Sequence, residues 1–132
     1  MYKAVFNGKL SGNGEFTKKC QNIFEQRYGY KKAILTTSGS DALEMSAILC
    51  NINPGDEVIV PSYTFVSSAL AFVRERAKIV FADSGENNPN IDPDKLEKLI
   101  TPRTKVIVVV HYAGIACDMD KIMDVAHRHG VL

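Results

Sequence analysis

The chain lacks several features that would place a protein in a class at once. Its 132 residues include no tryptophan and three cysteines, Cys20, Cys50 and Cys117. The cysteines lie far apart and form no CxxC or Cys/His pattern, which argues against a zinc site or a disulfide framework. They are expected to be reduced and mostly buried thiols in a cytoplasmic protein. The net charge is +1, so the chain also lacks the basic excess of nucleic-acid-binding proteins.

Long apolar runs are missing as well. The most apolar stretch, residues 106–110, is far too short to span a bilayer. Residues 1–8 have no apolar segment of the kind that a secretory signal requires. Hydrophobic residues nevertheless make up 45% of the chain, which is enough for a packed core in one domain.

The hydrophobic pattern predicts alternating helices and strands. Apolar residues at helical spacing, from Phe16 through Cys20 to Ile23 and Phe24, predict a first helix that ends at Gly29. Glycines 8, 12 and 14 before it predict a loop. Strands are then expected at 33–36, 57–60, 78–82 and 105–110, and helices at 40–50, at 64–74, after Asp92-Pro93, and from Asp118 to Gly130. This alternation predicts an α/β fold with a mostly parallel sheet and helices on both faces.

The pattern also predicts how the chain is organised. We interpret residues 1–132 as a single partial domain, with an N-terminal loop and helix at 1–30 and β/α units at 31–132. Val131 and Leu132 follow a helix stop and are typical of the first residues of another strand. We therefore expect a fragment with an exposed sheet edge that pairs with a second copy.

The most informative segment is a turn of small hydroxylated residues, Thr37 to Ser40, directly before a predicted helix. The first turn of a helix has unpaired N–H groups and a partial positive charge, so the turn predicts a phosphate site. The next strand leads to Phe65, a ring suited to stacking on a flat cofactor. Ligands of parallel sheets bind beyond the carboxyl ends of the strands. The turn, residues 62–65 and residues 111–114 are expected to meet there.

Longer motifs in the same order carry a resemblance to a known family. They are GSDALE at 39–44, PGDEVIVPSYTFVS at 54–67, NID at 90–92, ITPRTK at 100–105 and VHYAG at 110–114. This series resembles the DegT-type sugar-nucleotide aminotransferases, which are pyridoxal-phosphate (PLP) enzymes of the aspartate aminotransferase fold type I. Residues 14–17 and 110–120 look most like the dTDP-4-oxo-6-deoxy-glucose transaminases. Those enzymes serve surface polysaccharides such as O-antigen and enterobacterial common antigen.

The resemblance implies a fold, a cofactor and a set of site residues. The fold would be part of the three-layer large domain of the PLP transferases. The family's phosphate-binding positions fall on Gly39, Ser40 and Asp41. The ring that stacks on the pyridine falls on Phe65, and His111 and Tyr112 fall at the active-site edge. Glutamate would donate the amino group, a nucleotide-linked 4-keto-6-deoxy sugar would accept it, and the protein would be a homodimer or larger.

The resemblance also marks what these residues leave out. The family's Schiff-base lysine and the acid that pairs with the pyridine nitrogen would both lie beyond Leu132. The chain alone is therefore expected to be inactive. The alternative is a non-catalytic remnant that acts through phosphate binding or self-association. A dinucleotide-binding fold is disfavoured because the turn has one glycine and not a GxGxxG pattern.

Plainer interpretations stay open for single residues. The turn at 37–40 is also compatible with an ordinary helix cap, Phe65 with a core aromatic on a helix, and His111 with a structural histidine. The last helix carries acids without a His or Cys partner, which favours an N-cap and a solvated face over a metal site. These acids are Asp118, Asp120 and Asp124.

Overall fold

The computed structural model describes residues 1–8 and 10–132. They form two compact units, Met1–Ser38 and Gly39–Leu132. The first unit contains helix α1 (Tyr2–Phe6), which the sequence pattern did not predict, and helix α2 (Glu15–Tyr28). Helix α2 ends as predicted at Gly29, whose φ of 69° is a left-handed conformation that glycine adopts without strain. Position 9 of the predicted glycine-rich loop lies outside the described residues.

The apolar stripe of α2 is not buried. Phe16, Ile23 and Phe24 are 45%, 58% and 43% exposed, and no residue of the helix is buried. Cys20 on the same helix is exposed, so its predicted burial is wrong, whereas Cys117 is buried and Cys50 is half-buried. The apolar spacing predicts the helix correctly, but the burial of its apolar face also requires a surface to pack against, which spacing does not supply.

The strand predicted at residues 33–36 is absent from the described part of the chain. A strand requires a hydrogen-bonded neighbour, and no described strand pairs with this segment. Its polar groups bond locally instead. The N–H of Ala33 donates to Oε1 of Glu25 at 2.9 Å, and the Thr36 hydroxyl donates to the Ser38 carbonyl at 2.8 Å.

The second unit follows the predicted alternation. Its strands are β1 (Glu57–Pro61), β2 (Lys78–Ala82) and β3 (Thr104–Ile107). Its helices are α3 (Gly39–Leu49), α4 (Ser67–Arg74), α5 (Pro93–Leu96), which continues as a 3-10 turn (Glu97–Leu99), and α6 (Met119–His129). A second 3-10 turn spans Tyr112–Gly114. No helix within residues 1–8 and 10–132 combines the length and apolar character of a membrane span.

The three strands are parallel, in the order β2-β1-β3. Strand β3 was predicted to reach Val110 but ends at Ile107. The carbonyl of Ile59 accepts from the Val108 N–H at 2.8 Å, so the backbone groups of every second residue of β1 point toward β3. The next residue of β1 in this series is Pro61, which has no N–H to continue the hydrogen bonds with β3. The chain end lies on the other side of β3, where the Leu132 N–H donates to the Lys105 carbonyl at 3.0 Å.

Side chains of β1 alternate between two cores, one on each face of the sheet. Val58 and Val60 pack with residues of α3 and α4, including Ala47 and Phe72. Ile59 points the other way and packs with residues of α5 and α6. The sheet is therefore the middle of three layers, and the predicted α/β architecture is confirmed.

Two helices begin at the predicted capping residues, and one helix begins later than predicted. Asp92 and Asp118 cap α5 and α6 as predicted, accepting from the N–H groups of Asp94 and Lys121. The helix predicted from Thr64 begins only at Ser67. Thr64 lies in the preceding bend, where its hydroxyl is hydrogen bonded to that of Ser68 at 2.9 Å. This shift places Phe65 ahead of α4 instead of on it.

A buried carboxylate ties the amino end of the sheet together. Glu57 is 2% exposed and accepts from the Thr101 hydroxyl at 2.6 Å, from Arg103 at 2.9 Å and from Lys78 at 3.1 Å. These hydrogen bonds, with that of Thr101 the largest influence, lower the pKa of Glu57 from 4.5 to about 2. The network joins β1, β2 and the turn before β3.

We expect the Glu57→Gln variant to be less stable than the parent at neutral pH. The folded-state pKa lies below the unfolded one, so the carboxylate contributes its full stability above 4.5 and loses it as the pH falls toward about 2. Urea unfolding across this range should show the difference between variant and parent shrinking in acid. Glu97→Gln is the control, because its pairing with Arg128 is about half exposed and should matter less. Equal stability of Glu57→Gln and parent at neutral pH would contradict the assignment.

Candidate active site

Three loops meet at the carboxyl edge of the sheet. The loop after β1 carries Tyr63 and Phe65, the loop after β2 runs from Asp83 to Asp92, and the loop after β3 carries His111 and Tyr112. The rings of Tyr63 and Tyr112 touch, with their centroids 4.7 Å apart. The predicted meeting of residues 62–65 with residues 111–114 is therefore found in the structure.

The amino ends of two helices also meet there. Gly39, Ser40 and Asp41 form the first turn of α3, and Ser67 is the first residue of α4. The hydroxyl oxygens of Ser40 and Ser67 are 2.8 Å apart. Each helix amino end carries a partial positive charge, so the pair forms a candidate anion site.

Ser67 is a candidate site residue that the sequence analysis did not identify. The signal was available as a pair of serines at the start of a predicted helix, but only the fold brings it next to Ser40. From these hydroxyls a cleft of about 190 Å³ runs between α3 and α4 to the ion pair of Arg74 with Glu44. Asp41 is exposed in the first turn of α3, where a carboxylate is favourable to the helix dipole.

Phe65 is available for contact with a ligand. Its side chain is 72% exposed and precedes α4 by two residues, so it is not the core aromatic of the alternative interpretation. An exposed ring beside two helix amino ends pairs an apolar face with an anion-binding position. That combination suits a flat phosphorylated ligand.

The Tyr63–Tyr112 contact changes the acidity of one phenol. The hydrogen bond to Tyr63 is the main cause that raises the pKa of Tyr112 above 10.0. This hydrogen bond favours the neutral phenol of Tyr112 over the phenolate. Tyr63 is 54% exposed, so both rings lie at a surface that a ligand can reach.

His111 has one structural and one available nitrogen. Its Nδ1 accepts from the N–H of Cys117 at 3.1 Å. Because that N–H can only donate, Nδ1 carries no proton, and the neutral ring has its proton on Nε2. His111 is exposed, so this Nε2–H is available to a ligand. The thiol of Cys117 donates to the Val110 carbonyl at 3.2 Å, and burial raises its pKa.

One described lysine lines the edge of the sheet near these loops. Lys95 shares an open pocket with Tyr63 and Ser84. Its Nζ lies 3.2 Å from Oδ2 of Asp92, and that hydrogen bond raises the pKa of Lys95. The pairing favours the protonated form of this amine, which is a poor nucleophile. Lys78 and Lys105 are paired with Glu57 and Asp56, beside the start of β1.

Paired helix ends and an exposed ring at the carboxyl edge of a parallel sheet are typical of α/β proteins that bind phosphorylated ligands. The family model described as the DegT/DnrJ/EryC1/StrS aminotransferase family matches residues 1–132. The chain belongs to this family. Its members are PLP-dependent aminotransferases, so the fold, the family and the cofactor expected from the motifs are confirmed.

Relatives and solved structures agree with this assignment. The chain is 43% identical to GDP-perosamine synthase of Caulobacter vibrioides, over 93% of this chain and 33% of the relative. It is 43% identical to the spore coat polysaccharide biosynthesis protein SpsC of Bacillus subtilis, over 95% of this chain and 32% of the relative. It thus spans about one third of the length of these curated relatives.

Two solved structures show the same fold. The aminotransferase from Psychrobacter cryohalolentis superposes with a TM-score of 0.91 at 34% identity, covering 98% of this chain and 33% of that one. NtdA from Bacillus subtilis, solved with bound PMP, has a TM-score of 0.91 at 31% identity, covering 98% of this chain and 30% of that one. The fold of this chain is therefore that of about a third of a known aminotransferase.

We expect Tyr63→Phe to lower the pKa of Tyr112 toward its ordinary value of 10.0, since the Tyr63 hydroxyl is the main cause of the shift. A pH titration followed by NMR of ¹³C-labelled tyrosine rings would measure it. Tyr30→Phe removes a phenol from the aromatic stack of the first unit and is the control. An unchanged Tyr112 titration in Tyr63→Phe would show that the two hydroxyls do not interact.

Proposed function

We propose that this chain provides the phosphate-binding and ring-stacking part of a PLP-dependent nucleotide-sugar aminotransferase. Support comes from the hydroxyls of Ser40 and Ser67, which are 2.8 Å apart at two helix amino ends. The proposed phosphate ligands are the N–H and hydroxyl of Ser40, the N–H of Asp41 and the turn at Gly39. Ser67 adds a second hydroxyl from α4.

The donor set suits a dianionic phosphate ester. Hydroxyls and backbone N–H groups can all donate to phosphate oxygens. The helix ends add a positive potential that does not depend on a charged side chain. The nearest cation along the cleft, Arg74, is already paired with Glu44. The site therefore recognises phosphate mainly through neutral donors held in fixed positions.

Phe65 has the proposed role of holding the cofactor ring. The ring is flat, and the exposed face of Phe65 can stack against it and fix its tilt. When bound, PLP supplies the electron sink for amino-group transfer. The part of this chain is to bind and orient it. His111 Nε2–H and the Tyr112 hydroxyl, at the neighbouring loop, have the proposed role of contacting the sugar.

The proposed reaction moves an amino group from glutamate to a nucleotide-linked 4-keto-6-deoxy sugar. The likeness of residues 14–17 and 110–120 to dTDP-4-oxo-6-deoxy-glucose transaminases favours a dTDP-linked acceptor and a product used in surface polysaccharide. The name of the relative SpsC also refers to polysaccharide biosynthesis. We propose a cytoplasmic homo-oligomer, supported by the exposed apolar residues Met45, Ile48 and Leu49 on α3.

The chain by itself is proposed to bind cofactor without turning over. The described lysine at the sheet edge, Lys95, is paired with Asp92, and this pairing disfavours a covalent bond between its amine and the cofactor. The competing proposal is a non-catalytic protein in which the same helix ends bind phosphate or the chain self-associates. Both proposals share the phosphate site, and they differ in whether a cofactor ring is bound.

Binding of pyridoxamine phosphate to the purified chain tests the site without any covalent anchor. Ser40→Ala should weaken binding of both pyridoxamine phosphate and inorganic phosphate by about tenfold, the cost of losing a hydrogen bond to a charged group. Phe65→Ala should weaken binding of pyridoxamine phosphate and leave that of inorganic phosphate unchanged. Isothermal titration calorimetry can measure both ligands.

Ser46→Ala is the matched control for Ser40→Ala. Ser46 lies on the same helix, and its hydroxyl donates to the Ala42 carbonyl at 2.8 Å, one and a half turns from the proposed site. This variant should bind both ligands as the parent does. If Ser40→Ala binds inorganic phosphate as tightly as the parent does, the proposed phosphate site is refuted. If Ser40→Ala weakens binding but Phe65→Ala leaves pyridoxamine phosphate binding unchanged, the non-catalytic alternative is favoured.

A chimera tests the reaction itself. Residues 1–132 would replace the aligned segment of Caulobacter vibrioides GDP-perosamine synthase, to which the chain is 43% identical over 123 residues. We expect the chimera to form GDP-perosamine with glutamate as amino donor, and its Ser40→Ala variant to need more added PLP for the same rate. A folded chimera that binds PLP but transfers no amino group to either a GDP-linked or a dTDP-linked 4-keto-6-deoxy sugar would contradict the proposal.

A further inference from the structure

A buried asparagine joins two of the loops at the site edge. Asn90 is 4% exposed and lies in the loop after β2. Its Oδ1 accepts from the N–H of Tyr112 at 3.0 Å, and its Nδ2 donates to the carbonyl of Ile115 at 2.9 Å. One side chain thus holds both ends of the turn Tyr112–Gly114 in the loop after β3.

The turn that Asn90 holds is unusual in its backbone. Ala113, in its centre, has φ 51°, a left-handed conformation that is unfavourable for a residue with a Cβ. A turn of this kind persists when its surroundings fix it. Its internal hydrogen bonds are few, with the Gly114 N–H donating to the His111 carbonyl at 3.2 Å and the Ile115 N–H to the Tyr112 carbonyl at 3.0 Å.

The loop after β2 is in turn held firmly around Asn90. The carbonyl of Asn90 accepts from the Gly85 N–H at 2.9 Å, and its N–H donates to Oδ1 of Asn88 at 2.9 Å. Ser84 and Ile91 form a bridge on either side. The amide of Asn90 therefore projects from a fixed base toward the strained turn.

We propose that Asn90 is a positioning residue that sets where His111 and Tyr112 lie at the substrate edge of the site. It touches no proposed cofactor ligand and acts through the turn. Its two hydrogen bonds fix the backbone at 112 and 115, which places the Tyr112 ring against Tyr63 and aims the His111 ring so that Nδ1 meets the Cys117 N–H. The inference rests on the proposed function for its substrate, but the clamp itself is a property of this chain.

The first test is made on the full 132-residue chain by NMR. Asn90→Ala should remove the contacts between the Tyr63 and Tyr112 ring protons and the single-tautomer ¹⁵N signature of His111. Asn90→Asp has the same shape and keeps an acceptor for the Tyr112 N–H, but in its ionised form it has no donor for Ile115. It should give an intermediate result. Unchanged ring contacts and tautomer in Asn90→Ala would overturn the proposal.

Thr101→Val is the control for general destabilisation. The hydroxyl of Thr101 donates a part-buried hydrogen bond to Glu57 at 2.6 Å, at the opposite end of the sheet. This variant removes that hydrogen bond. It should lower stability while leaving the Tyr63–Tyr112 contacts and the His111 tautomer as in the parent. Loss of both signals in Thr101→Val as well would assign them to overall stability and overturn the positioning role.

The second test separates positioning from the proposed function. In the GDP-perosamine synthase chimera, Asn90→Ala should raise KM for the keto sugar by about tenfold or more, as misplaced contact groups do, with PLP affinity unchanged. An Asn90→Ala chimera with the parent's KM would overturn the proposal. If the unsubstituted chimera aminates neither a GDP-linked nor a dTDP-linked 4-keto-6-deoxy sugar, the proposed function fails, and the NMR result alone still decides whether Asn90 positions the turn.

Discussion

The fold depends on the burial of strand β1 on both faces. Val58 and Val60 complete one core and Ile59 the other, and all three are fully buried. A central strand of this kind requires a helix layer on each side, because either apolar face left in water would cost the stability that burial supplies. Once β1 is covered, the parallel neighbours β2 and β3 bring their following loops to one edge. Everything proposed about the site follows from that single arrangement.

The two ends of the sheet have different tasks. At the amino end, Glu57 accepts hydrogen bonds from Thr101, Arg103 and Lys78 in a network that joins β1, β2 and the turn before β3. At the carboxyl end, the groups are arranged toward solvent, with the Ser40–Ser67 hydroxyl pair, the exposed ring of Phe65 and the Tyr63–Tyr112 contact. Charged side chains join the strands at one end, and neutral donors with helix dipoles are the proposed means of recognition at the other.

The family assignment and the physical description support each other at particular residues. The motif that carried the resemblance at 39–44 is the first part of α3, and the motif at 54–67 runs through β1 to the start of α4. The NID motif at 90–92 includes Asn90, whose amide reaches the VHYAG motif. All five motifs are thus joined in space by hydrogen bonds or ring contacts. The motifs occur together in one chain because they contact one another in the fold as well as because they mark the family.

The sequence by itself determined the alternation of elements, the caps at Asp92 and Asp118, the helix end at Gly29 and the family. Each of these depends on residues close together in the chain or on ordered motifs. The sequence pattern predicted wrongly where a strand or a buried helix face depends on residues far away in the chain. Residues 33–36 look like a strand but have no described neighbour, and the apolar stripe of α2 has no described cover.

Only the tertiary structure decided the composition of the site. Ser67 joins Ser40 across 27 residues, and Asn90 reaches Tyr112 across 22. It also placed Phe65 before α4, where its ring is exposed, instead of on the helix. Local preferences select helices and strands. Which side chains meet is set by packing both faces of β1 at once, and that constraint acts between residues that no local pattern connects.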